Sequence, residues 1–206
     1  MRKIWKVLKR VFSFFGSGFL LLLLCVILLR AFVAEPFVVR GNSMEPTFFD
    51  GDYLWIEKVS PHFYLKRGEV VVFKAPDNPY AVYIKRIIGL PGERVRIVGQ
   101  KIYVSSEEGI FLLIEPYIKA LTQGSVDITL GEDEYFVLGD NRTVSEDSRM
   151  FGPIKKKAII GRAWIRIFPF AKKGVLPIVS PQLKRVEKIS VLQGFSQSIY
   201  SLSCFS

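Results

Sequence analysis

The apolar and polar positions divide the chain into one unbroken hydrophobic run and a series of short alternating segments. Val11 to Leu29 carries no charge and is mostly Leu, Phe, Val and Ile. Nineteen residues of helix span roughly 28 Å, close to the thickness of a bilayer's hydrocarbon core. A buried core helix would show polar residues at helical spacing, and the run has none. A cleavable leader would have a shorter apolar stretch and small residues before the cut, whereas Phe32 stands third before the most plausible cut. The pattern therefore predicts an uncleaved transmembrane anchor over residues 11–30.

After Glu35 the period changes. Phe37 to Val39, Tyr53 to Ile56, Glu69 to Phe73, Ala81 to Ile88, Arg94 to Val98, Lys101 to Val104, Tyr135 to Leu138 and Ile159 to Ile167 read as short strands. Pro61, Gly68, Pro76, Pro79, Gly89, Pro91-Gly92 and Gly99 punctuate them. Strands at this spacing predict a mainly β, antiparallel domain over residues 35–170. Residues 99–134 are less regular and more acidic, and read as a β-rich insert. Glu115 to Leu121 is the one stretch after the anchor that admits a short helix. The tail, 171–206, is basic, then serine-rich, and weakly periodic. It reads as a peripheral segment, either solvated or lying on acidic lipid.

Charge sharpens the membrane reading. The net charge is +10, but residues 1–10 carry +5 and the chain from Met150 onward carries +9, leaving the middle at −4. Basic residues at the two ends around a mildly acidic middle do not make a nucleic-acid footprint. Five Lys/Arg precede the apolar run and only Arg30 closely follows it, which places the N-terminus in the cytoplasm and the β domain outside. The two cysteines, Cys25 and Cys204, form no disulfide framework, and no Cys/His group has metal-ligand spacing.

Three stretches hold candidate chemistry. Ser43 lies in Gly41-Asn42-Ser43-Met44-Glu45-Pro46, a turn-forming context in which a serine can be a turn former or a constrained nucleophile. A nucleophilic serine needs a base. The one histidine, His62 in Ser60-Pro61-His62-Phe63, has nothing around it that favours a triad. Lys85 differs from the other lysines in sitting inside an apolar strand, Tyr83 to Ile88. Alternation puts it on one face with Tyr83 and Ile87, and Arg86 on the other with Ile84 and Ile88. Turned inward, Lys85 is desolvated and its pKa falls by roughly 2–3 units, enough to make it a base; turned outward, it belongs to an ordinary half-buried strand. The third stretch, Gly139 to Gly152, is dense in polar groups: Asp140, Asn141, Arg142, Ser145, Asp147 and Arg149. Asp147 and Arg149 can pair across a turn or with Arg86, and Ser145 can orient a lysine amine. The same residues also fit a polar loop built on an Asx-turn.

In order, Ser43-Met44-Glu45-Pro46-Thr47, Gly51-Asp52 with Lys58, Arg67 to Phe73, Tyr83 to Glu93 and the Gly139 to Gly152 block resemble the boxes of bacterial type I signal peptidases. The resemblance implies a membrane-bound endopeptidase that removes signal peptides from exported preproteins. It implies coiled antiparallel sheets with an insert between the lysine box and the Gly139 block. By motif position it makes Ser43 the nucleophile, Lys85 the general base and Ser145 the residue that orients the lysine. Asp140, Asp147, Arg149 and Arg86 become structural support, and the Ser43 backbone amide the oxyanion donor. Some members carry Ser or Thr where this chain has Gly41, so the oxyanion site leans more on backbone here. An apolar exposed surface around Phe37, Val39, Met44 and Ile84 is expected to form shallow pockets for an Ala-x-Ala-like segment. No metal or cofactor is required, and the partners are exported preproteins and membrane lipid. A soluble self-cleaving Ser-Lys protease of the repressor type lacks the anchor and the Gly139 block. A membrane-anchored β module without protease activity explains the strands but not the serine and lysine boxes together.

Overall fold

The computed structural model describes residues 18–27, 33–76, 78, 80–176 and 179–186. Residues 18–27 are helical. The remainder of the anchor expected over 11–30 lies outside the described residues. Among the described residues no helix is long and apolar enough to cross a membrane.

The rest is two antiparallel sheets. The strands, in chain order, are β1 (Ala34–Val38), β2 (Tyr53–Glu57), β3 (Val70–Lys74), β4 (Val82–Gly89), β5 (Arg94–Val98), β6 (Lys101–Ser106), β7 (Gly109–Ile114), β8 (Val126–Thr129), β9 (Glu134–Leu138), β10 (Ile154–Lys155), β11 (Ile159–Phe168), β12 (Gly174–Val175) and β13 (Gln182–Arg185). The first sheet runs β1-β2-β11-β3-β4-β9-β10, with β12 added to β11. The second runs β13-β7-β6-β5-β8. Two short helices, α1 (Ser60–Phe63) and α2 (Ser148–Phe151), sit in connections.

The central strands of the first sheet are buried on both faces, which is why β3 reads Val-Val-Val-Phe without alternation. One face packs Val39, Met44, Phe48, Leu54, Ile56, Val72 and Ile84. The other packs Val71, Phe73, Ile87, Tyr135 and Val137. A third cluster, Ile88, Phe136 and Leu138 with Val95, Ile97 and Val104, joins the two sheets. Register breaks bend the long strands, in β4 between Ile87 and Gly89 and in β11 around Trp164. The β5–β6 hairpin turns at Gly99-Gln100, both at positive φ, the conformation of a two-residue hairpin loop.

Three expectations are revised. The second sheet starts at Arg94 rather than near residue 99, because β5 pairs with β6 and β8 and with no strand of the first sheet. Glu115 to Leu121 is not helical; Glu115 and Thr122 are turned inward, and inward polar groups at this spacing do not suit an amphipathic helix. The first part of the tail, expected to be peripheral, is joined to both sheets. β12 joins β11, β13 seals the edge of β7, and Ser180 crosses over Gly68 between them. Gly68 (φ +88°) admits that crossing, since a Cβ there would lie 2.6 Å from Ser180 Cα.

Candidate active site

Ser43 sits in the turn between β1 and β2, and Lys85 in the middle of β4. The strand directs the lysine ammonium to the turn, and Lys85 Nζ lies 2.7 Å from Ser43 Oγ. Lys85 is only 4% exposed. Burial pulls its pKa from 10.5 down to about 8, opposed by the nearby carboxylates of Asp147, Glu146 and Asp140. The Tyr83 ring, two residues earlier, lies 5.6 Å from the ammonium. A hydroxyl this close to an amine that is partly neutral near pH 8 can surrender its proton to it.

The Gly139 block holds the serine turn from the other side. Asn141 N–H donates to the Ser43 carbonyl (3.0 Å), and the Asn141 side chain donates to the Asn42 carbonyl (3.2 Å). Gly139 is wedged between Ser43 and Ser145: a Cβ on it would overlap Ser145 Oγ and come within 2.6 Å of the Ser43 carbonyl oxygen. Gly139→Ala is therefore expected to destabilise by about 1–3 kcal/mol and to lower kcat, because either Ser145 or the Ser43 turn must move. Melting curves and kinetics check this; a variant with wild-type kcat and melting temperature would show that the close approach is not required.

Asp147 caps α2, accepting from Arg149 N–H, and its second oxygen accepts from Gly139 N–H (3.1 Å). Arg149 pairs with Asp147 (Nε–Oδ1, 2.8 Å) and also donates to the carbonyls of Arg142 (2.8 Å) and Ser145 (3.3 Å). Of the two pairings the sequence left open, Asp147 takes Arg149, and Arg86 takes Asp140. Arg86 and Asp140 are both buried and form a two-pronged pair, Nε–Oδ1 2.8 Å and Nη2–Oδ2 2.6 Å. Arg86 also donates to the Gly68 carbonyl (2.7 Å), and Thr47 Oγ1 donates to Asp140. The pair thus ties β4, the serine turn and the Gly139 block together. Arg166 on β11 donates to the Thr47 carbonyl and stacks 4.8 Å from the Phe48 ring, bracing the turn from below.

Other expected residues fall differently. Ser145 is buried beside the site, but its Oγ has no hydrogen-bond partner among the described residues. Val39, Met44 and Ile84 are 1%, 0% and 4% exposed, with Phe37 packed on them. The expected exposed surface is corrected to a closed core at Val39, Met44 and Ile84, where the turn carrying Ser43 folds Met44 under itself, and Phe37 is half-buried against them. Tyr53, Trp55, Trp164, Phe168 and Phe170, on and just after β2 and β11, form one group of exposed aromatic side chains; Phe49, Phe63, Tyr64 and Tyr80 are exposed elsewhere in the domain. His62 is in α1, where its carbonyl accepts from Lys156. Among the described residues no group of His, Cys, Asp and Glu is placed to hold a metal. Sequence reasoning gave no role to Arg142, which is buried, donates to the Gly139 carbonyl (2.9 Å) and pairs with Glu115.

A serine next to a buried, low-pKa lysine is an arrangement able to carry acyl transfer with an amine base. Comparison with known proteins narrows it. The family model described as signal peptidase, peptidase S26, matches residues 13–168. The chain is 40% identical over 157 residues to probable signal peptidase I-2 of Synechocystis sp., covering 72% of this chain and 69% of that one. It is 36% identical over 157 residues to signal peptidase I of Bacillus licheniformis, 70% of this chain and 82% of the relative. It is 40% identical over 139 residues to signal peptidase I V of Bacillus subtilis, 60% and 79% respectively. The chain belongs to the signal peptidase family, peptidase S26, and is a serine peptidase.

Proposed function

We propose that the protein is a membrane-anchored endopeptidase that cuts signal peptides from exported preproteins with a Ser43–Lys85 dyad. The observation that carries this is the 2.7 Å approach of Lys85 Nζ to Ser43 Oγ, with the lysine buried and its pKa drawn to about 8. Neutral Lys85 takes the Ser43 proton as Oγ attacks the scissile carbonyl. The lysine then returns that proton to the leaving amine. A water, deprotonated by the same amine, hydrolyses the acyl-enzyme. The Ser43 backbone amide faces the developing oxyanion. The Gly41 amide is engaged by Asp50 Oδ1 at 2.7 Å and does not share that task. Ser145 packs against Gly139 beside the Ser43 turn, while Asp140, Arg86, Asp147 and Arg149 fix the backbone around the dyad.

Phe37, Val39, Met44 and Ile84 supply an apolar floor beneath the serine turn. A floor already filled by its own side chains leaves room for small residues, in keeping with an Ala-x-Ala-like substrate. The apolar stretch 11–30 anchors the domain with its N-terminus in the cytoplasm, and the aromatic strip on β2 and β11 suits the lipid interface. The test is incubation of detergent-purified protein with a synthetic signal peptide: cleavage at one bond after Ala-x-Ala supports the reading, and its absence overturns it.

A pH dependence follows. The base works only when neutral. Protonation below about pH 8 removes it. The free enzyme's kcat/KM should rise about tenfold per pH unit below pH 8 and level off above it. An acid limb with an apparent pKa near 6 to 7, the range of a histidine, would rule out lysine as the base.

A further inference from the structure

The loop after β7, residues 115–122, reaches from the second sheet across to the site. Its Glu115 carboxylate grips Arg142 with two prongs, Oε1–Nη2 2.5 Å and Oε2–Nη1 2.8 Å. Thr122 Oγ1 accepts from the same guanidinium, and Tyr117 OH donates to Glu115 Oε1 at 2.6 Å. The Tyr117 ring lies 4.0 Å from the Arg86 guanidinium carbon. Burial and the Glu115 charge hold the phenol in its neutral, donating form. Arg142 and Glu115 are almost wholly closed to solvent, with side chains 0% and 4% exposed. One loop of the second sheet therefore meets two of the buried arginines of the site, Arg86 and Arg142.

Arg142 transmits the grip. Its Nε donates to the Gly139 carbonyl at 2.9 Å, and Gly139 is the residue pressed against Ser145 and the Ser43 carbonyl. Two residues on, Asn141 N–H holds that same carbonyl. We infer that Glu115 is a positioning residue for the peptidase reaction: through Arg142 it sets the 139–142 turn against the Ser43 turn, with Tyr117 bracing Arg86. The second sheet is then part of the working site rather than an ornament on it. This rests on the proteolytic reading above. The carboxylates that act most on the Lys85 pKa are Asp147, Glu146 and Asp140, so the action of Glu115 is argued through geometry rather than basicity.

The test uses the full chain in detergent with a synthetic signal peptide. Glu115→Gln keeps the shape and removes the charge. It is expected to lower kcat about 10- to 100-fold, the loss typical of a misplacement near 1 Å, with KM within about threefold and the acid limb still near pH 8. Glu115→Leu with Arg142→Met removes both buried charges together, leaving neither unpaired. That pair should melt within a few degrees of wild type yet keep the low kcat. Activity is referred to the folded fraction, measured by near-ultraviolet circular dichroism at the assay temperature. Wild-type kcat per folded molecule in either variant overturns the inference, as does an acid limb moved by a pH unit. Wild type and Ser43→Ala run alongside. Cleavage by the first and not the second upholds the proteolytic reading whatever Glu115 does. Failure of folded wild type to cleave sinks that reading instead.

Discussion

Ser43→Ala and Lys85→Met are each expected to lower kcat/KM on a signal-peptide substrate by at least about 10⁴-fold, and the double variant to be hardly worse than either. The reason is that the two groups act as one unit: without the amine the hydroxyl is not activated, and without the hydroxyl the amine has nothing to deprotonate. Their effects on stability should part. Lys85 titrates near 10.5 when free and at about 8 in the folded chain, so the native state binds fewer protons between those values. Folding therefore carries its full penalty below pH 8 and sheds it as the pH rises toward 10.5. A shift of that size corresponds to about 3 kcal/mol. At pH 7 Lys85→Met should thus be inactive and more stable than wild type by up to about 3 kcal/mol, an advantage that fades by pH 10.5. Urea unfolding at pH 7 and pH 10.5 measures it. A Lys85→Met protein that still cleaves, or that is less stable at pH 7, would remove the buried-base account.

Periodicity made much of this legible. β5 runs over the residues where alternation put it, β2 and β11 start where expected and run one residue further, and β4 is shifted by one residue. Alternation also located Lys85, since a lysine between Tyr83 and Ile87 is unusual whichever way it points. What alternation could not give was which faces would be covered. β4 is buried on both faces, so Lys85 and Arg86 are both interior, although they point in opposite directions. The same blindness misplaced Val39, Met44 and Ile84 on the surface. β7 and β8 were missed for opposite reasons. Gly-Ile-Phe-Leu-Leu-Ile has no polar alternation to mark a strand, and Val-Asp-Ile-Thr is too short to show one. β12 and β13 form because β11 and β7 offer open edges, which is a property of the partner strands and not of the tail. Long-range pairing was the least legible of all: nothing in the sequence around Arg86 or Arg142 names Asp140 or Glu115 as its partner.

Asp140→Ala is the second large effect expected. It leaves Arg86, 2% exposed, as a buried cation without its carboxylate, and it leaves Thr47 Oγ1 without an acceptor. Removing one partner of a buried pair typically costs 3–5 kcal/mol, which for a chain of this size lowers the melting temperature by roughly 10 °C. Activity should fall further than the lost folded fraction explains, because Thr47 closes the turn that carries Ser43. Asp140→Asn separates charge from shape. It retains one hydrogen-bond acceptor, and it removes a carboxylate that holds the Lys85 pKa up. Its acid limb should therefore move to lower pH even as its maximal kcat drops. The apolar triple change Arg86→Met, Asp140→Leu and Thr47→Val removes every charge that would otherwise be stranded. It should recover most of the melting temperature without recovering kcat, since nothing in it registers the serine turn against β4. A cost below about 1 kcal/mol for Asp140→Ala would mean that the pair is not what holds these elements together. A triple variant with wild-type kcat would mean that packing alone sets the distance between Ser43 and Lys85.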